Sequence, residues 1–287
     1  MAKLLRGLGN PEPPLQLTDV RAALELDLQH YSSSQTGVLA ETVHRMRVGF
    51  HQVLRRPLLL LDVVKKLSLK ALWVPDRKRI LIDTDEPLLK HRWNEAHEVG
   101  HSIIPWHEAM LHGDNHRTLK PACHHKVEAE ANYAAGRTLF LQDRFKQELL
   151  DSPLDLTAVK ALRKTFGNTI TSTLWRAVEQ ADSPVLGVVS VHPQYPPHDF
   201  NLTAPCKYFI RSPAFTAQFS NVTELAAFGV MQTYCNWKKR GPVGEAEVIL
   251  TDDAGESHVF YFESFCNTYE TLTLAAYRRK HVTVVAV

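Results

Sequence analysis

The segment Asn94-Glu95-Ala96-His97-Glu98-Val99-Gly100-His101-Ser102-Ile103-Ile104-Pro105 constrains this chain more than any other, because it sets His-Glu-x-x-His on a stretch that reads as helix. On a helix the residue four positions on returns to nearly the same face. His97 and His101 can therefore aim both imidazoles at one metal ion with Glu98 beside it. A chain built on that pair has to bring a third donor from elsewhere and leave one position open. Bound so, Zn²⁺ lowers the pKa of a water from 15.7 to about 7, and Glu98 is placed to take the proton. Histidine is frequent here, 15 of 287 residues, so a chance occurrence is weighed against context. Glu86-Pro87 reads as a helix start, Trp93, Ala96, Ile103 and Ile104 supply a buried side, and Pro105 is expected to stop the helix. That context favours a metal site over solvated or core histidines.

A chain of 287 residues is long enough for two domains, or for one large domain with an appendage. With 44% hydrophobic and 22% charged residues it has the composition of a water-soluble globular protein, and a net charge of +2 argues against a nucleic-acid-coating chain. No apolar run approaches a membrane span; Leu58-Leu59-Leu60-Leu61 is broken by Asp62. The N-terminal Met1-Ala2-Lys3-Leu4-Leu5-Arg6-Gly7 has no apolar core of a signal peptide, so the expected location is cytoplasmic. Cys123, Cys206, Cys235 and Cys266 are scattered and read as reduced thiols.

Residues 1–14 read as a poorly ordered arm, and a helix from Asp19 to about Leu28 follows Thr18 as its cap. A second helix is expected over Val38–Leu54, which completes an N-terminal helical region, residues 1–70. Leu69–Val74 and Arg79–Asp83, joined by Pro75-Asp76-Arg77-Lys78, suggest an antiparallel hairpin feeding the metal helix. A strand at the edge of that sheet could pair with an extended peptide beside the metal or merely cover the core. Trp106 to Lys126 is polar and histidine-rich and reads as a long loop or lid. Within it, Cys123-His124-His125 reads as a polar stretch over the cleft rather than as a second metal site. A helix from about Lys126 to Gln147 then carries Glu128, Ala131, Asn132 and Ala135 on one face and Glu130, Tyr133, Ala134 and Arg137 on another. One of the two glutamates is the third ligand, and spacing alone leaves the choice open.

His97-Glu98-x-x-His101 followed by Glu128-x-Glu130-Ala131-Asn132-Tyr133-Ala134-Ala135 resembles the ImmA/IrrE family of bacterial metallopeptidases. In that family a glutamate opening the later helix is the third ligand, with Asn four residues on and an Ala-rich run after it. The resemblance implies Glu128, 128 − 101 = 27 positions beyond His101, as ligand, and Asn132 as a residue that orients one. The family's run often closes with Leu-Leu-Met-Pro, whereas Thr138-Leu139-Phe140-Leu141 lacks the Pro and leaves the helix free to continue. The matching motifs span about residues 71–150, read as a zincin-like metallopeptidase core.

Leu156–Thr169 and Ile170–Gln180 read as helix, Gly-containing turn, helix, a helix-turn-helix-like module over residues 151–183. Lys160, Arg163, Lys164 and Arg176 would be its phosphate partners. Packing or protein contact is favoured over DNA, although regulators in the family carry a similar module after the peptidase. Residues 184–287 read as a C-terminal α+β domain, sensor-like by analogy with the family. Its expected strands are Val185–Val191, Tyr208–Ile210, Glu245–Thr251, Ser257–Phe262 and His281–Val287, with a helix from Val222 or Thr223 to about Cys235. Trp237-Lys238-Lys239-Arg240 reads as a solvated basic loop. The whole is expected to be α+β.

The function these residues suggest is a zinc-dependent endopeptidase, with Mn²⁺ as the other candidate ion. His97, His101 and Glu128 bind the metal, Glu98 is the base, and His124, His125, Tyr133 and Arg137 are candidate donors to the tetrahedral oxyanion. The resemblance implies a protein substrate, typically a helix-turn-helix repressor cleaved under stress or on mobile-element induction. The alternatives are a DNA- or partner-binding regulator with structural zinc, and a zinc hydrolase of a non-peptide amide.

Overall fold

Ile80, Leu81 and Ile82 are consecutive and all buried, as a strand covered on both faces requires, and they form the middle of β3, Arg79–Asp83. The computed structural model describes residues 2–32, 71–74, 78–112, 121–198, 200–201 and 203–281. In it β3 pairs antiparallel with β2, Ala71–Val74, in the expected hairpin, with Ala71 opposite Ile82 and Val74 opposite Arg79. β3 also pairs in parallel with β1, Asp27–Tyr31, so the sheet order is β1-β3-β2 and the sheet is mixed rather than antiparallel.

The N-terminal stretch departs from expectation twice. Residues 2–7 form helix α1, Ala2–Gly7, with Leu5 buried, where an unstructured arm was expected. Helix α2, Leu17–Leu24, starts one residue before the anticipated cap and stops at Glu25, whose φ of 56° is left-handed and whose N–H closes on Ala22. The helix ends because residues 27–31 take ladder hydrogen bonds from β3, a tertiary demand that outweighs local apolar spacing. The helix expected over Val38–Leu54 lies outside the described residues.

Helix α3, Leu88–Ile103, follows Pro87 and buries Ala96, Glu98, Val99 and His101. It ends before Pro105, as expected. Pro105 then opens α4, Pro105–His112, in place of the expected loop, because proline's missing N–H is no loss at a first helical position. Helix α5, Pro121–Leu139, begins five residues earlier than expected. It ends eight residues earlier, where Leu141 and Gln142 take left-handed φ of 50° and 54°; the chain then restarts as α6, Asp143–Leu150. Ala131 and Ala135 are fully buried on the face that carries Glu128 and Asn132.

The chain divides into two compact units, Met1–Asp143 with Phe166–Asn168, and Arg144–Thr165 with Thr169–Val287. In the first, Arg92 donates to the carbonyl of Leu15 at 2.8 Å and to the Asn168 side chain at 3.4 Å, which ties the short return segment to α3. The 151–183 helices therefore fall, apart from that segment, in the same unit as the C-terminal sheet.

That second unit is built on a five-stranded antiparallel sheet of order β5-β4-β8-β7-β6. Its strands are β4, Val185–Ser190, β5, Cys206–Arg211, β6, Gly241–Thr251, β7, Ser257–Cys266, and β8, Thr271–Lys280. β8 was not expected, since its first six residues are all buried between two neighbours and show no alternation. The strand expected over His281–Val287 lies, beyond His281, outside the described residues. Helices α7, Leu156–Phe166, and α8, Ile170–Gln180, match the expected helical pair, with Thr169 capping α8 through a hydrogen bond from Ser172 N–H.

Helices α9, Pro213–Gln218, and α10, Glu224–Tyr234, cover one sheet face with Phe215, Phe219 and Met231 around Phe260 and Phe262. The opposite face receives α8. A Cβ at Gly187 of β4 would lie 2.8 Å from Val178 of α8, so glycine allows that close seat.

Candidate metal centre

α3 carries His97 and His101 one turn apart, and α5 brings Glu128 to them. The Nε2 atoms of the two histidines lie 3.1 Å apart. Glu128 Oε2 is 3.1 Å from His97 Nε2, and its Oε1 is 3.7 Å from His101 Nε2. One donor atom from each residue lies within 4.8 Å of the others, so the three could hold a single metal ion. Helix packing sets this distance. A Cβ on Gly100 would stand 2.7 Å from the Ala131 carbonyl oxygen and 3.3 Å from the Ala134 methyl, so the two backbones meet where one residue has no side chain.

The far nitrogens of the imidazoles are also held. His97 Nδ1 is 3.0 Å from Asn132 Oδ1, an acceptor, so Nδ1 carries a proton and Nε2 is the atom turned toward Glu128. Burial by itself would lower the His97 pKa, but the hydrogen bond it donates to Glu128, the charges of Glu98 and Glu128 and the Asn132 contact outweigh it and raise it. Protonated, His97 bridges to Glu128; a metal ion would displace that proton.

Glu98 is 5% exposed, and burial pushes its carboxyl up to about 7. The His97 imidazole pulls the value down, the Glu128 charge raises it, and a hydrogen bond from the Trp73 backbone N–H lowers it. That last bond anchors the carboxylate to β2, the strand at one edge of the small sheet.

Glu130, the other glutamate left open by spacing, faces elsewhere. Its Oε2 accepts from Trp106 Nε1 at 2.7 Å and lies 3.1 Å from His107 Nε2, and these bonds lower its pKa. His107 is fully buried, and its Nδ1 lies 3.0 Å from His101 Nδ1. His107 falls in the stretch Trp106 to Lys126, expected to form a long loop or lid. The missed signal was Pro105 followed by Glu108 in a first turn, the pattern of a new helix rather than of a lid.

Of the oxyanion candidates, Tyr133 and Arg137 follow Glu128 by five and nine residues, roughly 140° and 180° around the helix, and so leave its face. Tyr133 is exposed, and Arg137 is engaged with Gln142 and Asp143. The side chains of Cys123, His124 and His125 lie outside the described residues. Among the proposed phosphate partners, Arg176 is buried and paired with Glu179, and Lys160 sits 3.9 Å over the Phe265 ring. Cys206, Cys235 and Cys266 form no disulfide.

A second donor cluster, Asp252, Glu256 and His258, lies in the β6–β7 hairpin. Asp252 Oδ1 accepts the backbone N–H groups of Ala254 and Glu256 at 3.0 and 2.7 Å, its Oδ2 meets His258 Nε2 at 3.0 Å, and Glu256 pairs with Lys280.

Among the described residues no helix is long and apolar enough to cross a membrane. No family model matches the chain, and no curated protein matches it. Among solved structures, one described as a Mycobacterium tuberculosis transcriptional regulator aligns over 89% of this chain and 95% of that chain, at 13% identity and a TM-score of 0.40. So loose a likeness carries no argument about function.

Proposed function

We propose that the chain is a metal-dependent endopeptidase, with zinc the ion its donors suit. The observation that carries this reading is the convergence of His97, His101 and Glu128 beside a buried Glu98. Two imidazoles and one carboxylate, grouped without a fourth donor among the described residues, fit a catalytic site with an open position better than a closed structural one. When bound, zinc would supply a Lewis acid for the scissile carbonyl and an acidified water. Mn²⁺ suits the same imidazole and carboxylate donors.

The residues divide the remaining work. Asn132 holds His97 with its Nε2 toward the site, and the Trp73 N–H holds the Glu98 carboxylate. Glu98 takes a proton from the attacking water and delivers it to the departing amine, a pair of tasks suited to a carboxyl that titrates near neutrality. The two donor helices and the adjoining edge strand support a zincin-like reading of the first unit. The resemblance to the ImmA/IrrE peptidases extends the reading to its substrate, a helix-turn-helix repressor. A DNA-binding role for α7 and α8 has less support, because α8 seats Val178 against β4 and Arg176 is buried.

The test is incubation of purified protein with a helix-turn-helix repressor encoded beside it, with zinc and with chelator. Cleavage is expected only with metal. Glu98→Gln should keep its zinc content yet lose roughly 10²- to 10⁴-fold in rate; full turnover by that variant rejects Glu98 as base.

A further inference from the structure

We propose that His107 and Glu130 are positioning residues for His101, acting as a relay that fixes the proton on its Nδ1 and turns the Nε2 lone pair toward His97 and Glu128. The inference builds on the metallopeptidase reading and adds a part to it that the His-Glu-x-x-His pattern does not contain.

The direction of the relay follows from its end. A carboxylate only accepts, so Glu130 Oε2 takes Trp106 Nε1–H at 2.7 Å and His107 Nε2–H at 3.1 Å. A His107 ring carrying a single proton holds it on Nε2, against the carboxylate, so its Nδ1 carries a lone pair. That lone pair, 3.0 Å from His101 Nδ1, accepts the His101 Nδ1–H. His101 Nε2 is then left as an electron-pair donor, 3.1 Å from His97 Nε2 and 3.7 Å from Glu128 Oε1. The reverse assignment would set the bare Nε2 of His107 against the carboxylate at 3.1 Å, two acceptors facing each other.

Burial makes the relay necessary. His107 is 0% exposed and His101 is 6% exposed, so water has little access to either Nδ1 as a substitute partner. The two histidines of the motif are thus oriented by different means: His97 by the amide oxygen of Asn132 on α5, and His101 by a carboxylate acting through a third imidazole on α4. Glu128 and Glu130, two positions apart on α5, serve the same imidazole from its two ends.

The experiment reads the His101 tautomer in the zinc-free full chain from ¹⁵N imidazole shifts, and zinc affinity by competition with a chromophoric chelator. Wild type should show His101 protonated at Nδ1. Glu130→Leu, a change at a partly exposed side chain, should give mixed tautomers at His101 and roughly 10- to 100-fold weaker zinc binding. Glu130→Gln, whose side-chain oxygen can still accept the His107 Nε2–H, should recover most of both. His107→Phe should match Glu130→Leu, and the double variant should lose no more than either single one. An unchanged His101 tautomer, with zinc affinity within about twofold of wild type in Glu130→Leu, overturns the proposal. If instead the tautomer depends on Glu130 but a repressor is never cleaved, the relay stands and the peptidase reading fails.

Discussion

Among the described residues, two clusters of histidine and carboxylate are close enough to grip an ion, and their partners distinguish them. In the first unit, His97, His101 and Glu128 come from two helices, and both imidazoles are held from behind by Asn132 and His107. In the second unit, Asp252, Glu256 and His258 come from one hairpin, and the acceptors of Asp252 are already filled by backbone N–H groups and by His258. These bonds are the local side-chain-to-backbone kind that close a turn. Proximity of donors therefore says little by itself. What separates a site from a turn is whether the polar partners lie behind the donors or between them.

The sharpest way to break this contrast is to remove one donor from each cluster and count bound zinc. Glu128→Ala should abolish stoichiometric uptake, and Asp252→Ala should leave it unchanged while loosening the hairpin; metal loss from the second variant would erase the distinction. Glu130→Ala should fall between them, since it acts on His101 only through His107.

A second test uses the different burial of the carboxylates. Glu98 has a folded pKa of about 7 against an ordinary value of 4.5, so its contribution to stability is fully present below pH 4.5 and is lost as pH rises through about 7. In zinc-free protein, Glu98→Gln should therefore be no more stable than wild type near pH 4.5 but more stable above pH 7, by up to roughly 3 kcal/mol. Denaturant unfolding at the two pH values measures it, and a pH-independent difference would show that burial does not raise this carboxyl. Asp252 is shifted the other way: burial opposes the change, but the Glu256 and Ala254 N–H groups and His258 lower its pKa, so the hairpin should loosen only in acid, below the ordinary carboxylate range.

The smallest expected effect is at the helix crossing. Gly100→Ala should cost about 1–3 kcal/mol, because a methyl group 2.7 Å from a backbone oxygen forces the helices apart, and zinc affinity should fall with it. Unchanged stability and affinity would mean that the crossing tolerates separation.

The legible and illegible parts of the chain differ for a physical reason. The donor face of α5 could be read because small residues and polar ones share a 3.6-residue period, with Ala131 and Ala135 buried beside Glu128 and Asn132. The choice between Glu128 and Glu130 needed a resemblance, since two positions on a helix differ by a rotation that only the packed partner reveals. β1 and β8 were missed because their pairing partners, not their own patterns, make them strands: Asp27–Tyr31 is mostly exposed, and Thr271–Ala276 is buried throughout. His107 was missed for a related reason. A histidine near other histidines reads as solvated until α4 is seen to fold it under α3, six residues after the one it touches.

The clearance at Gly100 also changes what a motif search should ask for. With leucine or isoleucine in that place the signature His-Glu-x-x-His would survive intact on paper, yet the helix bearing Glu128 would have no room to draw near. For donors spaced as they are in this chain, the informative string is His-Glu-x-Gly-His, and the residue without a side chain belongs to it as much as the imidazoles do.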